Sequence, residues 1–433
     1  MQIDKNTNSQ ARERLSLLFD DGIYSEINSM VKEKDALTGV ISAYGYVNGN
    51  AVYAFSQDKS LNSGAVGAAQ ADKIAKLYEL AAKTGTPIVG IHDSNGAFMD
   101  GTAASLAAYG KMLGASSVIS GVVPQIAVIA GTCAGTAAML ACSSDFVIMT
   151  KDSEFFMAPN SSSGSAEAAA KSGIASAVCD DDKAAIEKAR DLVNILPVNN
   201  LAPVPMFEFA ENSPVSGTDL KSIINSAADA DSEIEISAEF GNASYTGFVT
   251  IGGATAGIAA AGKEGSKLNS DDCAKLARFM RTCDAFSIPV VTFVNSEGFE
   301  DADAVSSIKA MTTLANSYSE ATTVKIAVVT GKAVGPVFAA VAGNSSNSDF
   351  TYAYPDAVIA PVSSAAAVEF MWHDKLKGTD NLESARNELI SEYEKTLASA
   401  ETAAENNFLV SALDILSGKR VQKLPKKHNN IQF

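Results

Sequence analysis

Residues 87–96 read PIVGIHDSNG, and residues 289–298, 202 positions further along the chain, read PVVTFVNSEG. In each stretch a short run rich in β-branched residues ends in a polar turn closed by glycine, a pattern typical of a buried parallel strand. A segment with helical periodicity precedes each one, ADKIAKLYELAAKTGT in the first case and DDCAKLARFMRTCDAFSI in the second. The two stretches predict the same strand in two copies of one fold.

Three further pairs of blocks indicate an internal duplication. GTCAGTAA and GKAVGPVF begin 200 residues apart, and the pairs SSDFVIM with NSDFTYA and GYVNGNAVYAF with FVTIGGATAGIAA are each 204 apart. Because short strand patterns alternate with helical patterns in both copies, we expect an α/β fold with parallel sheets and helical crossovers. Segment 197–216 carries four prolines and marks a linker, so we predict domains at 1–215 and 216–433. NSSSGSAEAAAKSG, at 160–173, is of low complexity and predicts a mobile loop.

Composition narrows the class of protein. The 433-residue chain is 47% hydrophobic and 19% charged, as globular proteins are, and its net charge of −17 argues against nucleic-acid binding, which needs a basic face. The five cysteines lack C-x-x-C spacing, so they predict neither a zinc site nor a disulfide framework and fit a reducing compartment. No long apolar run follows the basic residues near the N-terminus, so we predict a cytoplasmic protein that reaches a membrane only peripherally, through partner subunits.

A glycine-rich turn follows a buried strand in both copies, CAGTAA at 133–138 and AVGPVF at 333–338. The start of a helix leaves backbone N–H groups without partners, and the helix dipole favours negative charge there. Small residues let a ligand approach these amides, so each turn is a candidate oxyanion hole. The alternative interpretation is that glycine and alanine only permit tight packing of strand against helix.

The residues of conventional catalytic motifs are missing. The sequence has no G-x-S-x-G, H-E-x-x-H, G-x-x-x-x-G-K-[ST] or strand-linked G-x-G-x-x-G motif, and it has only three histidines. His92 lies within a buried-strand pattern, which favours a core or rim position over a catalytic base. Asp93 and Glu297, near the ends of equivalent strands, are candidate acids, with a role in turn structure as the alternative.

Several of these blocks resemble the carboxyltransferase subunits of biotin-dependent acyl-CoA carboxylases and decarboxylases, a family that includes the propionyl-CoA carboxylase beta subunit and the methylmalonyl-CoA decarboxylase carboxyltransferase subunit. QARERLSLLFDDGIYSEI is similar to the family's opening A-R-E-R-I-x-x-L-x-D-x-G-S-F-x-E. SGVVPQIAVIAGTCAGTAA resembles S-G-V-I-P-Q-I-x-x-I-x-G-x-C-A-G-G-A, and DAFSIPVVTFVNSEGF resembles D-x-F-x-I-P-x-x-x-x-x-D-x-P-G-F. The ending LDILSGKRVQKLPKKHNNI is close to the family's last segment.

The resemblance implies two tandem crotonase-like domains built as ββα superhelices. It places acyl-CoA against the first domain and biotin, delivered by a biotin carboxyl carrier protein, against the second. It implies a homo-oligomer, either a dimer or a trimer of dimers, with biotin carboxylase or membrane decarboxylase subunits as further partners and no metal in this subunit. In the family the biotin ureido nitrogen is thought to take the α-proton, which agrees with the missing catalytic side chains.

Carried over by position, the first oxyanion hole comprises Gly135 and Thr136, and the second comprises Gly335, Pro336 and Val337. The second hole receives the ureido oxygen of biotin, with Gly335 and Val337 as the cofactor-binding positions. The resemblance places acyl-CoA against the segment DSNGA and the first turn, that is, against Ser94, Asn95, Gly96, Ala97, Gly135 and Thr136.

Three departures from the family pattern bear on the chemistry. Thr136 stands where the family usually has a second glycine, and it keeps its N–H but adds bulk. Pro336 stands in the family's Gly-Gly-Ala segment and has no N–H. Phe98 replaces an arginine.

The expected function is transfer of CO2 between a short-chain acyl-CoA, of the malonyl- or methylmalonyl-CoA type, and carrier-bound biotin. Two alternatives remain open. A catalytically impaired paralogue would serve as a structural or acyl-CoA-binding subunit. Another crotonase-type hydratase or hydrolase would need an acid at the mouth of a hole, for which Glu297 is the placed candidate.

Overall fold

The computed structural model describes residues 9–33, 36–158, 164–212, 219–300, 305–344, 346–377, 381–406 and 408–409. These residues form two compact units. The first contains residues up to 205 together with 237–240, and the second contains 206–236 and the residues from 241 onward. The division after Pro205 falls inside the proline-rich segment 197–216. The predicted boundary after residue 215 lies outside the described residues and stays a prediction.

The first unit contains six α-helices and ten strands in its described residues. The helices are α1 (Gln10–Leu18), α2 (Ala68–Thr84), α3 (Ala103–Ile119), α4 (Thr136–Cys142), α5 (Ala166–Lys171) and α6 (Asp182–Ile195). The strands are β1 (Tyr24–Ile27), β2 (Lys32–Glu33), β3 (Ala36–Leu37), β4 (Val40–Val47), β5 (Asn50–Gln57), β6 (Ile88–Ser94), β7 (Gln125–Ala134), β8 (Phe146–Thr150), β9 (Glu154–Phe156) and β10 (Ala177–Cys179).

The second unit contains seven α-helices and seven strands in its described residues. The helices are α7 (Leu220–Ala227), α8 (Ser270–Ala285), α9 (Val305–Glu320), α10 (Ser364–Met371), α11 (His373–Leu376), α12 (Leu382–Thr396) and α13 (Ala400–Glu405), and a π-helical segment spans Phe338–Ala342. The strands are β11 (Ile234–Glu235), β12 (Ser244–Ile251), β13 (Ala254–Gly265), β14 (Val290–Ser296), β15 (Lys325–Val334), β16 (Phe350–Ala353) and β17 (Val358–Ala360).

The main sheets of the two units have the same topology. In the first unit the strand order is β1-β4-β5-β6-β7-β8-β10, with β9 beside β7; in the second it is β11-β12-β13-β14-β15-β16, with β17 beside β15. Each contains an antiparallel hairpin, β4–β5 or β12–β13, followed by parallel strands. The helices α2 and α3, and their counterparts α8 and α9, connect the parallel strands. The predicted α/β class and the duplication of the fold are confirmed.

The duplication extends to buried side chains. Lys73 on α2 and Lys275 on α8 lie 202 residues apart, and each is 4% exposed. The Lys73 ammonium donates to the carbonyl of Val40, and that of Lys275 donates to the carbonyl of Ser244 at 3.1 Å, each at the start of a hairpin strand. Burial lowers the pKa of each lysine to about 8. These contacts tie the helix to the same point of the sheet in both units.

The segment predicted as a mobile loop at 160–173 contains a helix. Residues 159–163 lie outside the described part of the chain, but α5 begins directly after Ser165, whose hydroxyl accepts from the amide of Ala168 at 3.2 Å. The sequence AEAAAK consists of strong helix formers, and a serine cap starts the helix. The low complexity of this segment was therefore a poor guide to its structure.

His92 lies in the core of the first unit. It is 2% exposed on β6, where all seven residues are buried, and its ring meets that of Phe55 edge-on with 5.2 Å between centroids. The Nδ1 atom has no hydrogen-bond partner among the described residues. Because burial penalises the charged imidazolium, the pKa of His92 falls to about 4. The side chain is neutral at physiological pH.

Acid should destabilise the first unit through His92. The pKa of His92 is about 4 in the folded protein and 6.5 ordinarily. Between these pH values the histidine is protonated more in the unfolded chain than in the folded one, so the free energy of unfolding falls as pH decreases. The loss reaches about 3 kcal/mol at pH 4. Urea unfolding of His92→Leu from pH 7 to pH 4 should show a shallower decline than the parent. Parallel profiles would mean that His92 is protonated equally in both states.

Candidate active site

The carboxyl ends of β6 and β14 carry equivalent turns. The hydroxyl of Ser94 accepts a hydrogen bond from the amide of Gly96 at 3.1 Å, and the hydroxyl of Ser296 accepts one from the amide of Gly298 at 3.2 Å. Both glycines have positive φ, +98° and +119°, which an L-residue rarely adopts. The sequence pattern of a polar residue followed by glycine thus produces the same turn twice.

In the first unit this turn packs against the end of β7. A Cβ on Gly96 would lie 2.8 Å from the carbonyl oxygen of Ala134, the residue before Gly135. The structure therefore brings two groups of predicted acyl-CoA residues together, the segment 94–97 and the turn at Gly135 and Thr136. Only a residue without a side chain permits so close an approach.

The glycines of the two turns share a positive φ and the same kind of backbone hydrogen bond. Gly135 has φ +62° and Gly335 has φ +63°. The amide of Gly135 donates to the carbonyl of Phe156 at 2.8 Å, and the amide of Gly335 donates to the carbonyl of Ala360 at 2.7 Å. Both glycine amides are therefore already engaged within the protein. A ligand at either turn must use the amides that follow.

In the first unit the amides after Gly135 have no acceptor within the described residues. They are the N–H groups of Thr136 and Ala137, at the start of α4, and the same holds for the N–H group of Ala97 in the neighbouring turn. In the second unit the N–H groups of Val337 and Phe299 are likewise without an acceptor in the described part of the chain. Ala137 and Phe299 were not predicted from the sequence, although the offset of 202 residues from Ala97 points to Phe299.

Asp93 has a structural role. It is 2% exposed, and its carboxylate accepts from the Arg14 guanidinium at 3.1 Å and from the amide of Thr132 at 3.2 Å. In the second unit Asn295 takes its place, and its Oδ1 accepts from the amide of Lys332 at 3.0 Å. The uncharged side chain of Asn295 makes the same contact as the Asp93 carboxylate, so a charge is not needed for it. The common role of the two side chains is to hold the last residues of β7 and β15. This favours turn structure over a catalytic acid at Asp93.

A cavity of about 540 Å³ lies beside the second turn. Gly335, Pro336 and the first residues of α10 line it, together with Glu297 and Lys332. The Lys332 ammonium donates to the Glu297 carboxylate at 2.7 Å, and both side chains are close to half-exposed. The structure thus places the candidate acid Glu297 at the second turn but pairs it with a lysine. Lys332 was not among the site residues predicted from the sequence.

The described residues contain neither a cluster of metal ligands nor a membrane-spanning helix. No group of three or more His, Cys, Asp or Glu side chains there is arranged to hold a metal ion. None of the helices in that part of the chain is both long and apolar enough to cross a membrane. His428 and the basic ending fall outside the described residues, and the cytoplasmic location stays a prediction.

Replacing Gly135 with alanine should cost about 1–3 kcal/mol of stability, because its φ of +62° strains any L-residue. Crowding is not the cause, since the nearest atom to an added Cβ, the carbonyl oxygen of Met157, is 4.0 Å away. Gly110→Ala on α3 is the matched control, because no atom lies within 4 Å of a Cβ added there. Alanine favours a helix over glycine, so this variant should be more stable than the parent by ~0.5–1 kcal/mol. Urea unfolding measures both, and a Gly135→Ala protein as stable as the parent would contradict the strained turn.

Comparison with known proteins agrees with this arrangement. The family model for the carboxyl transferase domain matches residues 4–417. The propionyl-CoA carboxylase beta chain of Roseobacter denitrificans is 31% identical over 97% of this chain and 93% of its own length. The methylmalonyl-CoA decarboxylase subunit alpha of Propionigenium modestum is 32% identical over 97% and 92%. A crystal structure of transcarboxylase 12S, a hexamer with methylmalonyl-CoA and methylmalonic acid bound, has a TM-score of 0.88 at 30% identity, covering 97% of this chain and 92% of that one.

The fold and its two turns define a tandem crotonase-like protein, and the expected fold class is confirmed by the match to transcarboxylase 12S. The chain belongs to the carboxyl transferase family. It is a biotin-dependent acyl-CoA carboxyltransferase, as its propionyl-CoA carboxylase and methylmalonyl-CoA decarboxylase relatives indicate.

Proposed function

We propose that this protein moves a carboxyl group between methylmalonyl-CoA or a similar short-chain acyl-CoA and biotin attached to a separate carrier protein. The observation that carries the proposal is a pair of equivalent turns, each with a backbone amide that has no acceptor within the described residues, Thr136 in the first unit and Val337 in the second. Acyl-CoA would bind at the first turn and biotin at the second. The proposal is supported by the transcarboxylase 12S structure, which holds methylmalonyl-CoA.

The first turn would stabilise the thioester enolate. Negative charge develops on the thioester oxygen when the carboxyl group leaves or joins the α-carbon. Preorganised amides aimed at this oxygen lower the barrier, because they need no reorganisation as the charge appears. Thr136 and Ala137 supply such amides at the start of α4, and Ala97 supplies one from the adjoining turn.

The second turn fits biotin, although with one donor fewer. Biotin, when bound, supplies the ureido nitrogen that accepts or releases the carboxyl group. The amides of Val337 and Phe299 would hold the ureido oxygen, while Pro336 contributes none. A second, apolar cavity of about 390 Å³, lined by Phe299, Met311 and Pro336 among others, lies against the same turn and suits an uncharged ring.

The side chains near the turns argue against a hydratase or hydrolase. His92 is buried and neutral, and Asp93 is held by Arg14 and the backbone of β7. Glu297, the placed acid, lines the cavity at the second turn, where biotin and not acyl-CoA is proposed to bind. A chain that relies on backbone amides needs none of these groups as a general base.

Pro336 favours one second candidate function. The missing amide is the kind of loss expected in a paralogue that has given up chemistry and keeps acyl-CoA binding or a structural role. For either function we propose a homo-oligomer that works with a biotin carboxyl carrier protein. A biotin carboxylase or membrane decarboxylase subunits would complete the complex.

The test is carboxyl transfer from methylmalonyl-CoA labelled in its free carboxyl group to free biotin or a biotinylated carrier, with malonyl-CoA in parallel. Label appearing on biotin supports the proposed function. Calorimetric binding of acyl-CoA without transfer would indicate the structural paralogue instead. Release of free CoA or hydration of an enoyl-CoA in the absence of biotin would indicate another crotonase-type reaction.

A further inference from the structure

We propose that Lys332 is a further catalytic group, whose ammonium donates to the biotin ureido oxygen and takes the place of the amide missing at Pro336. The inference rests on the proposed function and adds a side chain to a site otherwise built from backbone. Lys332, Gly335 and Pro336 line the same cavity of about 540 Å³. A positive charge is thus available where the backbone donor is absent.

The backbone of Lys332 is fixed independently of its side chain. Its amide donates to Asn295 Oδ1 at 3.0 Å, and the residue pairs with Val358 in the ladder between β15 and β17. The strand therefore delivers the side chain to the cavity at a constant position. Replacing the side chain should leave the glycine turn intact.

The ammonium itself is free to respond to a ligand. It is held by Glu297 at 2.7 Å, but the two side chains are 42% and 45% exposed, and ion pairs in contact with water add little stability. Such a pair opens easily. A lysine ammonium is a compact charge with three donors on a flexible stem, so it can turn from the carboxylate to an oxygen in the cavity.

The first unit places a lysine ammonium at the equivalent point of its own site. Thr132, 200 residues before Lys332, accepts a hydrogen bond from the Lys59 ammonium at 3.0 Å. Lys59 follows β5, whereas Lys332 belongs to β15. Different elements therefore place a lysine ammonium near the ends of the equivalent strands β7 and β15. A lysine ammonium is one of the groups that stabilise developing negative charge, and here each lysine also lies beside a carboxylate, Lys59 at 3.6 Å from that of Asp93. In the second unit this cation also compensates for the proline.

Lys332→Met should reduce kcat/KM for transfer to free biotin roughly tenfold or more. The loss should be smaller than that from removing a fully buried donor, because the ammonium is partly solvated. Calorimetric affinity for acyl-CoA should stay unchanged. Lys221→Met, which removes an exposed lysine of α7 paired with Glu233, is the control for loss of charge and should transfer as the parent does. Lys332→Arg should retain most of the activity.

The decisive measurement is a double-mutant cycle with Pro336→Gly. If Lys332 replaces the missing amide, restoring the amide should raise transfer more in the Lys332→Met background than in the parent. Equal transfer by the parent and Lys332→Met would overturn the inference while leaving the proposed function intact, and so would strictly additive effects. A parent with no transfer at all would remove the proposed function and the inference with it. Thermal unfolding midpoints establish that each variant is folded.

Discussion

Thr136→Pro should lower carboxyl transfer by about 100- to 1,000-fold, equivalent to about 2.7–4 kcal/mol of transition-state stabilisation. The substitution removes one amide that has no acceptor within the described residues and that faces the thioester in the proposed site. The fold should tolerate it, because proline suits the first position of a helix and the second unit already has Gly335-Pro336, with a glycine φ of +63° against +62° at Gly135. The substitution therefore gives the first turn the Gly-Pro sequence that the second turn has at Gly335 and Pro336.

Thr136→Ala is the matched control. It removes the threonine hydroxyl, as the proline substitution does, but keeps the amide, so transfer should remain within a few-fold of the parent. Steady-state kinetics with labelled methylmalonyl-CoA compare the two variants. Equal activity of Thr136→Pro and Thr136→Ala would remove the Thr136 amide from the mechanism.

Pro336→Gly should raise transfer to biotin by up to roughly 100-fold, the counterpart of the loss at Thr136. The new amide lies beside that of Val337 and restores the donor that the family pattern has at this position. Acyl-CoA affinity should not change, because the proposed acyl-CoA site lies in the first unit. The glycine also loosens the unfolded chain, so a stability loss of about 0.4–1 kcal/mol should accompany the gain.

Pro336→Ala separates the two effects of that change. Alanine also restores the amide but leaves the unfolded chain less flexible than glycine does, so the gain in transfer should persist with a smaller loss of stability. If both variants and the parent stay inactive, the protein is the impaired paralogue. If the parent is active and both variants are slower, the proline belongs to a retuned site and the proposed geometry of the second turn is wrong.

The sequence predicted those features of the fold that depend on local patterns. Strands β6 and β14 follow from their β-branched runs, and the duplication follows from blocks that recur at nearly one offset. The glycine turns were also predictable, because glycine adopts the positive φ found at Gly135 and Gly335 without the strain that a side chain would cause. These predictions need no knowledge of distant contacts.

The engaged amides were not predictable. The donors of Gly135 and Gly335 are taken by the carbonyls of Phe156 and Ala360, which belong to the short strands β9 and β17. Three-residue strands leave too little periodicity to be recognised. The sequence therefore predicted both turns, but not which of their amides lack an acceptor within the described residues.

The ion pair at the second turn was hidden for a different reason. Glu297 follows β14 and Lys332 lies near the end of β15, 35 residues apart in sequence. The parallel pairing of β14 with β15 shifts register between Val294 and Ser296, and this irregularity determines which side chains meet. Nothing local in either segment encodes that shift.

The central claim is that backbone amides at the two turns stabilise the negative charge that develops during carboxyl transfer. Its most direct test compares the parent and Thr136→Pro in one assay of transfer from labelled methylmalonyl-CoA to biotin. We expect biotin-dependent transfer by the parent and a loss of at least about 100-fold in the variant, with both proteins folded. A parent without transfer, or a variant as fast as the parent, would contradict the claim.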